Sequence, residues 1–335
     1  MTIKDLAAQT GYSVGTVSRV LNNQSHVSEQ AREIILRAAR ESAFQLNVNA
    51  KQLKQQYSNT ILVVCKGKAN ELFDALLVRI QSRIAQSSYP LLVDYVDESD
   101  NVVQRAVQLC REKKPRGVIF LGGNREEFLN DFHKITIPCV LVTGQARDLP
   151  FENLSSVSSD DVVAAGMAID HLVELGHRQI VVLGGNRDYS DITRSRYQGC
   201  LDAFREHGIP FQEERDYETA RYDFEDAYRA THALLKRNPQ FTALFAMSDV
   251  MAIGAIRALR DAGKRVPEDV SVMGFDGLSI GDYMVPRLST VVQSARLLAE
   301  QTLELLRQGV IENRCDSHVI IPVTLEKRES AREIK

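Results

Sequence analysis

Long apolar runs are missing from this sequence: none approaches the roughly 20 residues a membrane span needs. The start, MTIKDLAAQT, also lacks the basic-then-apolar order of a signal peptide, so the cytoplasm is the expected compartment. Tryptophan is absent and no low-complexity segment interrupts the chain. Its 335 residues, 44% of them apolar, describe a globular protein with length for about two packed domains and a small appendage. The five cysteines (Cys65, Cys110, Cys139, Cys200 and Cys315) are odd in number, widely spaced and mostly set in apolar runs. They read as buried free thiols rather than a disulfide framework or a zinc site.

Catalytic signatures are missing too. No GxGxxG follows a strand-like run, no GxxxxGK[ST] phosphate loop or GxSxG elbow occurs, and the seven histidines never fall at metal-ligand spacing. The LGGN stretches at 121–124 and 183–186 read as glycine pairs that permit a turn at a strand end. No enzyme, cofactor or metal site is expected.

What is present is an uneven charge. The chain as a whole carries −3, yet residues 1–57 hold seven basic residues (Lys4, Arg19, Arg32, Arg37, Arg40, Lys51 and Lys54) against four acids (Asp5, Glu29, Glu33 and Glu41). That local +3 leaves −6 on the remainder. A basic front on an acidic body suggests an N-terminal module that meets a polyanion.

In that front, IKDLAAQTGYSVGTVSRVLNNQSHVSEQAREIILRAARESAF, the spacing predicts three short helices. Thr2 is an N-cap with Asp5 three residues on, and Ile3, Leu6 and Ala7 share an apolar face, so a first helix is expected from about Ile3 to Gln9. Gly11 tolerates the positive φ of a tight turn. Ser13 then caps a second helix that buries Val14, Val17, Val20 and Leu21 and leaves Gly15, Thr16, Ser18, Arg19 and Asn22 outside. A third helix is expected after Ser28, burying Ile34, Ile35 and Ala38. Two helices joined through a glycine turn, the second with small hydrogen-bonding residues and one arginine outward, have the form of a helix-turn-helix. Arginine can read guanine bidentately, while hydroxyls and a helix N-terminus suit phosphate oxygens. A three-helix bundle that only packs has the same pattern, and periodicity leaves it open.

The segment TIKDLAAQTGYSVGTVSRVLNNQSHVSEQAREIILRAARE closely resembles the DNA-binding headpiece of the lactose/galactose repressor (LacI/GalR) family, whose pattern is TIKDVAxxAGVSxxTVSRVLNxxxxVSxxTRxxV. The resemblance implies that Val14 and Gly15 occupy variable base-reading positions and that Arg19 is the base-reading arginine. Ser13, Thr16, Ser18, Asn22 and Ser28 fall on backbone-contacting positions. Val14 and Gly15 offer only shape and a methyl contact, so Arg19 is expected to carry most direct readout. Further on, FQLNVNAKQLK aligns with the family's YxPNxxARxL hinge, which folds on operator DNA and wedges leucines into the minor groove. This implies DNA contacts from Asn47, Ala50, Lys51 and Leu53, with Leu46 replacing the proline and Lys51 the arginine. A polar helix this short is unstable alone, so folding on binding is the physical expectation.

From residue 60 onward apolar runs alternate with helical periodicity: ILVV (61–64), PLLVDYV (90–96), GVIFLGG (117–123), PCVLVT (138–143), QIVVLGG (179–185), TALFAM (242–247) and DVSVMGF (269–275). Continuous β-branched runs separated by amphipathic segments imply parallel strands covered on both faces, hence doubly wound α/β architecture, with ligands beyond the strand C-termini. HLVELGHRQIVVLGG, RYQGCLDAFREHGI, FTALFAMSDVMAIGAIRALRDAGKRVPEDVSVMGFDG and PRLSTV resemble the regulatory core of the same family, which is similar to two-lobed periplasmic sugar-binding proteins.

That resemblance implies effector contacts from Arg196, Asp276 and Ser248, with Phe73 and Tyr222 at ring-stacking positions and Thr143 where many sugar binders carry an aspartate. Asp249 is expected to cap the helix that follows it. Lys66 or Lys68 could favour a phosphorylated or acidic ligand, or simply form a solvated rim. The expected organisation is a helix-turn-helix domain at 1–45, a hinge at 46–57, and an effector-binding and dimerisation core at 58–330. One lobe spans about 58–157 and 290–321, the other about 158–289 and 322–330, with crossovers near 156–162, 286–292 and 320–325. Expected partners are double-stranded operator DNA, a small-molecule effector (a sugar, sugar phosphate or sugar acid) and a second copy in a homodimer, with no membrane. The reading is a DNA-binding repressor of carbohydrate-use genes; the alternatives are a soluble sugar-binding protein without a DNA role and a purine-type repressor that needs a corepressor.

Overall fold

The computed structural model describes residues 2–21, 27–42, 58–67, 70–84 and 89–334. Asn22, Lys68 and the hinge residues Asn47, Ala50, Lys51 and Leu53 lie outside the described residues. The chain divides into two units, Met1–Ser58 and Asn59–Lys335.

In the first unit, α1 (Ile3–Thr10) opens on a capping box: the Thr2 hydroxyl accepts from the Asp5 amide, and the Asp5 carboxylate accepts from the Thr2 amide at 2.7 Å. It ends at Gly11, whose φ of 73° a side chain would oppose. Ser13 starts α2 (Val14–Leu21) by accepting from the Thr16 amide at 3.1 Å, and Ser28 caps α3 (Glu29–Glu41) through the Ala31 amide. Leu6, Ala7, Val17, Val20, Ile35, Ala38 and Ala39 close the small core. Two residues expected inside are outside, Val14 at 42% and Ile34 at 41% exposure. Each three-residue step along an α-helix drifts about 60°. Val14 is therefore about 120° from Val20 and cannot share its face, and Ile34 lies about 100° from Ile35.

The second unit holds β1 (Ile61–Lys66), β2 (Leu91–Val96), β3 (Gly117–Leu121), β4 (Cys139–Val142), β5 (Leu154–Ser158), β6 (Ile180–Gly184), β7 (Tyr217–Thr219), β8 (Ala243–Ala246), β9 (Ser271–Asp276), β10 (Ser289–Val292), β11 (His318–Ile320) and β12 (Thr324–Glu326). They form two six-stranded sheets, β11-β5-β4-β3-β1-β2 and β12-β10-β9-β8-β6-β7, with every pairing parallel except β10 with β12. Helices join most of the consecutive parallel strands, as crossover connections favour, whereas β4 passes to β5 through residues 143–153 without one. In each sheet the strand order reverses at the first strand, between β1 and β3 and between β6 and β8. Doubly wound sheets place their ligands at such a switch point.

The chain passes between lobes three times. After β5 it enters the second lobe with the helix Asp161–Glu174, after β10 it returns with the helix Ala295–Glu312, and between β11 and β12 it crosses again. The second crossing therefore follows Val292 and does not fall within 286–292, because β10 is paired on both sides, with β9 and β12. The second lobe also continues past residue 330. The Ile334 amide donates to the Leu175 carbonyl, and His177 contacts Thr242 and the Arg332 carbonyl.

Candidate functional site

On the first unit, α2 exposes Val14, Gly15 and Arg19, with Ser13 exposed at its start and Thr16 and Ser18 half-buried. Arg19 makes no ion pair among the described residues, so its guanidinium is available to an outside partner. The Ser13, Thr16 and Ser28 hydroxyls fix the helix starts and so orient this face.

On the second unit both sheets direct their strand C-termini at one cavity of about 610 Å³, within the usual range of small-molecule sites. Lys66, Phe73 and Thr143 reach it from the first lobe, and Arg196, Tyr222 and Asp276 from the second. Thr143 (φ 69°) and Asp276 (φ 116°) both hold left-handed backbone at strand ends, a strain that concentrates at ligand sites. The Thr143 hydroxyl is buried without a hydrogen-bond partner among the described residues. Arg196, buried in the cleft floor, donates to Asp161 at 2.8 Å and to the Met247 carbonyl at 2.5 Å, and its plane lies 3.7 Å over Phe275. Asp276 accepts from Gln293 at 2.9 Å and faces Arg196 at 3.9 Å. Burial pushes the Asp276 carboxyl up to about 6, with the Arg196 charge opposing.

The strand-end glycine pairs give ring access. A Cβ on Gly185 would lie 2.6 Å from the Tyr222 ring and 2.7 Å from the Thr193 hydroxyl that bonds the Tyr222 hydroxyl. A Cβ on Gly122 would lie 3.2 Å from the Phe73 ring, on a backbone at φ 80°.

Three expectations are corrected. Ser248 does not line the cavity: its hydroxyl caps the helix Asp249–Asp261 by accepting from the Met251 amide at 3.2 Å. Asp249 is therefore not the cap. Its buried carboxylate accepts from the Thr290 hydroxyl and the Leu278 amide, both at 2.6 Å, and burial, reinforced by the Asp276 charge, pushes it up to about 8. Lys66 is no open cation, since it pairs with Glu127 and donates to the Asp100 carbonyl at 3.0 Å.

Sequence reasoning also missed the residues that bridge the lobes. Arg221 reaches Asp97 at 2.9 Å and Glu98 at 2.7 Å, the Asn124 amide donates to the Tyr189 carbonyl, and the Arg125 backbone amide meets Asp191. The partners stand 65 to 124 residues apart, so no local spacing could reveal them. Among the described residues there is no His, Cys, Asp or Glu cluster that could hold a metal, and no helix long and apolar enough to cross a membrane.

Residues 2–47 match the family described as bacterial regulatory proteins, lacI family, and residues 169–331 match the periplasmic binding protein-like domain. The HTH-type transcriptional regulator MalR of Clostridium butyricum is 34% identical over 337 residues, covering 100% of both chains. This chain belongs to the LacI family. It is a sequence-specific DNA-binding transcriptional regulator with a helix-turn-helix and a periplasmic-binding-protein-like core, not an enzyme. GalS of Salmonella typhimurium is likewise 34% identical, over 98% of this regulator and 96% of its own length. Among solved structures, the lac repressor dimer bound to operator and the anti-inducer ONPF matches this LacI-family regulator with a TM-score of 0.85 and 26% identity, over 99% of each chain.

Proposed function

We propose that this regulator is a cytoplasmic repressor of carbohydrate-use genes that binds a palindromic operator as a homodimer and is released when a sugar or sugar derivative occupies the cleft. The observation that carries this reading is the cleft itself. Five of the six residues assigned to an effector, Phe73, Thr143, Arg196, Tyr222 and Asp276, converge on one cavity in a chain that also carries an exposed reading helix. The solved relative bound to operator is a dimer, which supports the partners assigned here. On this chain the edge strand β2 exposes Val93 and Tyr95, and Val78 on the neighbouring helix Glu71–Ile84 is 67% exposed. An open sheet edge beside apolar side chains suits a second copy.

In this reading Arg19, Val14 and Gly15 read bases, and Ser13, Thr16, Ser18, Asn22 and Ser28 hold phosphates. Asn47, Ala50, Lys51 and Leu53 enter the minor groove. Selection of operators from random duplexes, followed by gel shifts, tests it. A palindromic site with steeply salt-dependent binding is expected. Arg19→Ala should lose about 1–3 kcal/mol of binding and relax the preference at one base pair of each half-site. No specific site at any salt concentration would refute the reading.

A further inference from the structure

Among the described residues three cations line the cleft, Lys66, Arg196 and Arg221, against five carboxylates, Asp97, Glu98, Asp223, Asp226 and Asp276. None of the three cations is free. Lys66 is held by Glu127, Arg196 by Asp161, and Arg221 by Asp97 and Glu98. The Lys66–Glu127 pair is deeply placed, with about a tenth of each side chain exposed (10% and 12%), and Glu127 is fixed by further donors, the Val102 amide and the Asn124 side chain.

The other ready-made anion sites are helix N-termini, and here each already has one amide engaged. Asn70 accepts from the Phe73 amide at the start of Glu71–Ile84, Ser190 from the Thr193 amide at the start of Asp191–Glu206, and Asp223 from the Asp226 amide at the start of Phe224–Arg237. At the start of Arg125–Asp131 the first amide donates to the Asp191 carboxylate of the other lobe. Among the described residues, a phosphate or carboxylate entering the cleft would meet paired cations, capped helix ends and more carboxylates than cations.

What stays open suits hydroxyls and ring faces. Among the described residues the Thr143 hydroxyl has no partner and one Asp276 oxygen accepts nothing, and Phe73 and Tyr222 approach from opposite lobes. We propose that the cleft selects an uncharged polyhydroxylated ring and rejects its phosphate esters and uronic acids, with Glu127 setting that choice by neutralising Lys66. This rests on the cleft being the effector site. Glu127 is a positioning residue, acting through Lys66 and not lining the cavity.

Calorimetry and thermal shift on the full-length regulator test it with glucose, galactose, ribose, maltose and cellobiose beside glucose 6-phosphate, ribose 5-phosphate, glucuronate and galacturonate. Operator gel shifts are read alongside. At least one neutral sugar should bind and weaken operator binding, and its charged counterpart should bind about tenfold or more weakly. In Glu127→Gln, which keeps the side-chain size and frees the Lys66 charge, that gap should narrow about tenfold. A charged ligand that binds the wild-type regulator as tightly as its neutral parent overturns the inference and leaves the effector reading standing. So does an unchanged gap in a folded Glu127→Gln protein that still binds the neutral sugar. The wild-type ranking needs no variant, so it decides even if Glu127→Gln does not fold. Silence across the panel, with operator binding intact, overturns the effector reading and this inference together.

Discussion

Asp276 in the cleft wall and Asp249 behind it form a buried carboxyl pair, and both are pushed above the usual carboxylate range, to about 6 and about 8. They act on one another, so they titrate as a pair. With folded-state values raised, the folded core holds more protons than the unfolded chain between about pH 4 and about pH 8, and stability falls as pH rises through that window. Asn at 249 cannot titrate. The stability of Asp249→Asn should therefore improve relative to wild type as pH rises from about 5 to about 8, by up to about 1.4 kcal/mol per pH unit. Guanidinium melts across that range read the slope, and a constant offset at every pH would refute it. His177, held neutral by burial, has the opposite dependence but is common to both proteins and cancels. At this scale Arg196 and Asp276 were legible because their motifs sit at fixed places in the family pattern. Ser248 and Asp249 were not: a hydroxyl between a strand and a helix serves equally as cap or as ligand contact, and only the Met251 amide decides which.

At the level of elements, the helices Asp161–Glu174 and Asp191–Glu206 approach so closely that a Cβ on Gly199 would run into the Val162 carbonyl. They carry Asp161 and Arg196, whose pairing forms the cleft floor. Gly199→Ala should force them apart, costing about 1–3 kcal/mol in a urea melt and lowering effector affinity. Melting unchanged from wild type would show that the pair can slide instead. The seven apolar runs in the sequence correspond to β1, β2, β3, β4, β6, β8 and β9, and all but the partly exposed edge strand β2 are covered on both faces, as continuous hydrophobicity implies. β5, LSSVS, was invisible because three of its five residues are serine, yet it is buried. Two of its three hydroxyls find partners far along the chain: Ser156 contacts His318 at 2.9 Å, and Ser155 accepts from the Ser317 amide at 3.2 Å. β7, β11 and β12, three residues each, are too short to show a period.

Across the whole core, the lobes are joined by three chain crossings and, at the cleft mouth, by side chains that meet only when the lobes are near. Arg221 with Asp97 and Glu98 is one such bridge, and Asn124 and Arg125 with Tyr189 and Asp191 form another. An effector that binds the closed arrangement benefits from whatever already favours closure, because apparent affinity scales with the fraction of protein in the competent state. Arg221 is half exposed (53%), so its bridge contributes no more than about 1 kcal/mol, and that contribution is screened by salt. Arg221→Ala should therefore weaken effector binding by up to about fivefold at low salt, while at about 1 M salt the two proteins should converge. Operator affinity without effector should rise slightly in Arg221→Ala, by no more than the loss in effector affinity, because losing the bridge disfavours the arrangement that releases operator. Calorimetry over a salt series, with gel shifts beside it, separates the cases. A loss that persists undiminished at high salt would mean that Arg221 holds the effector directly rather than the lobes.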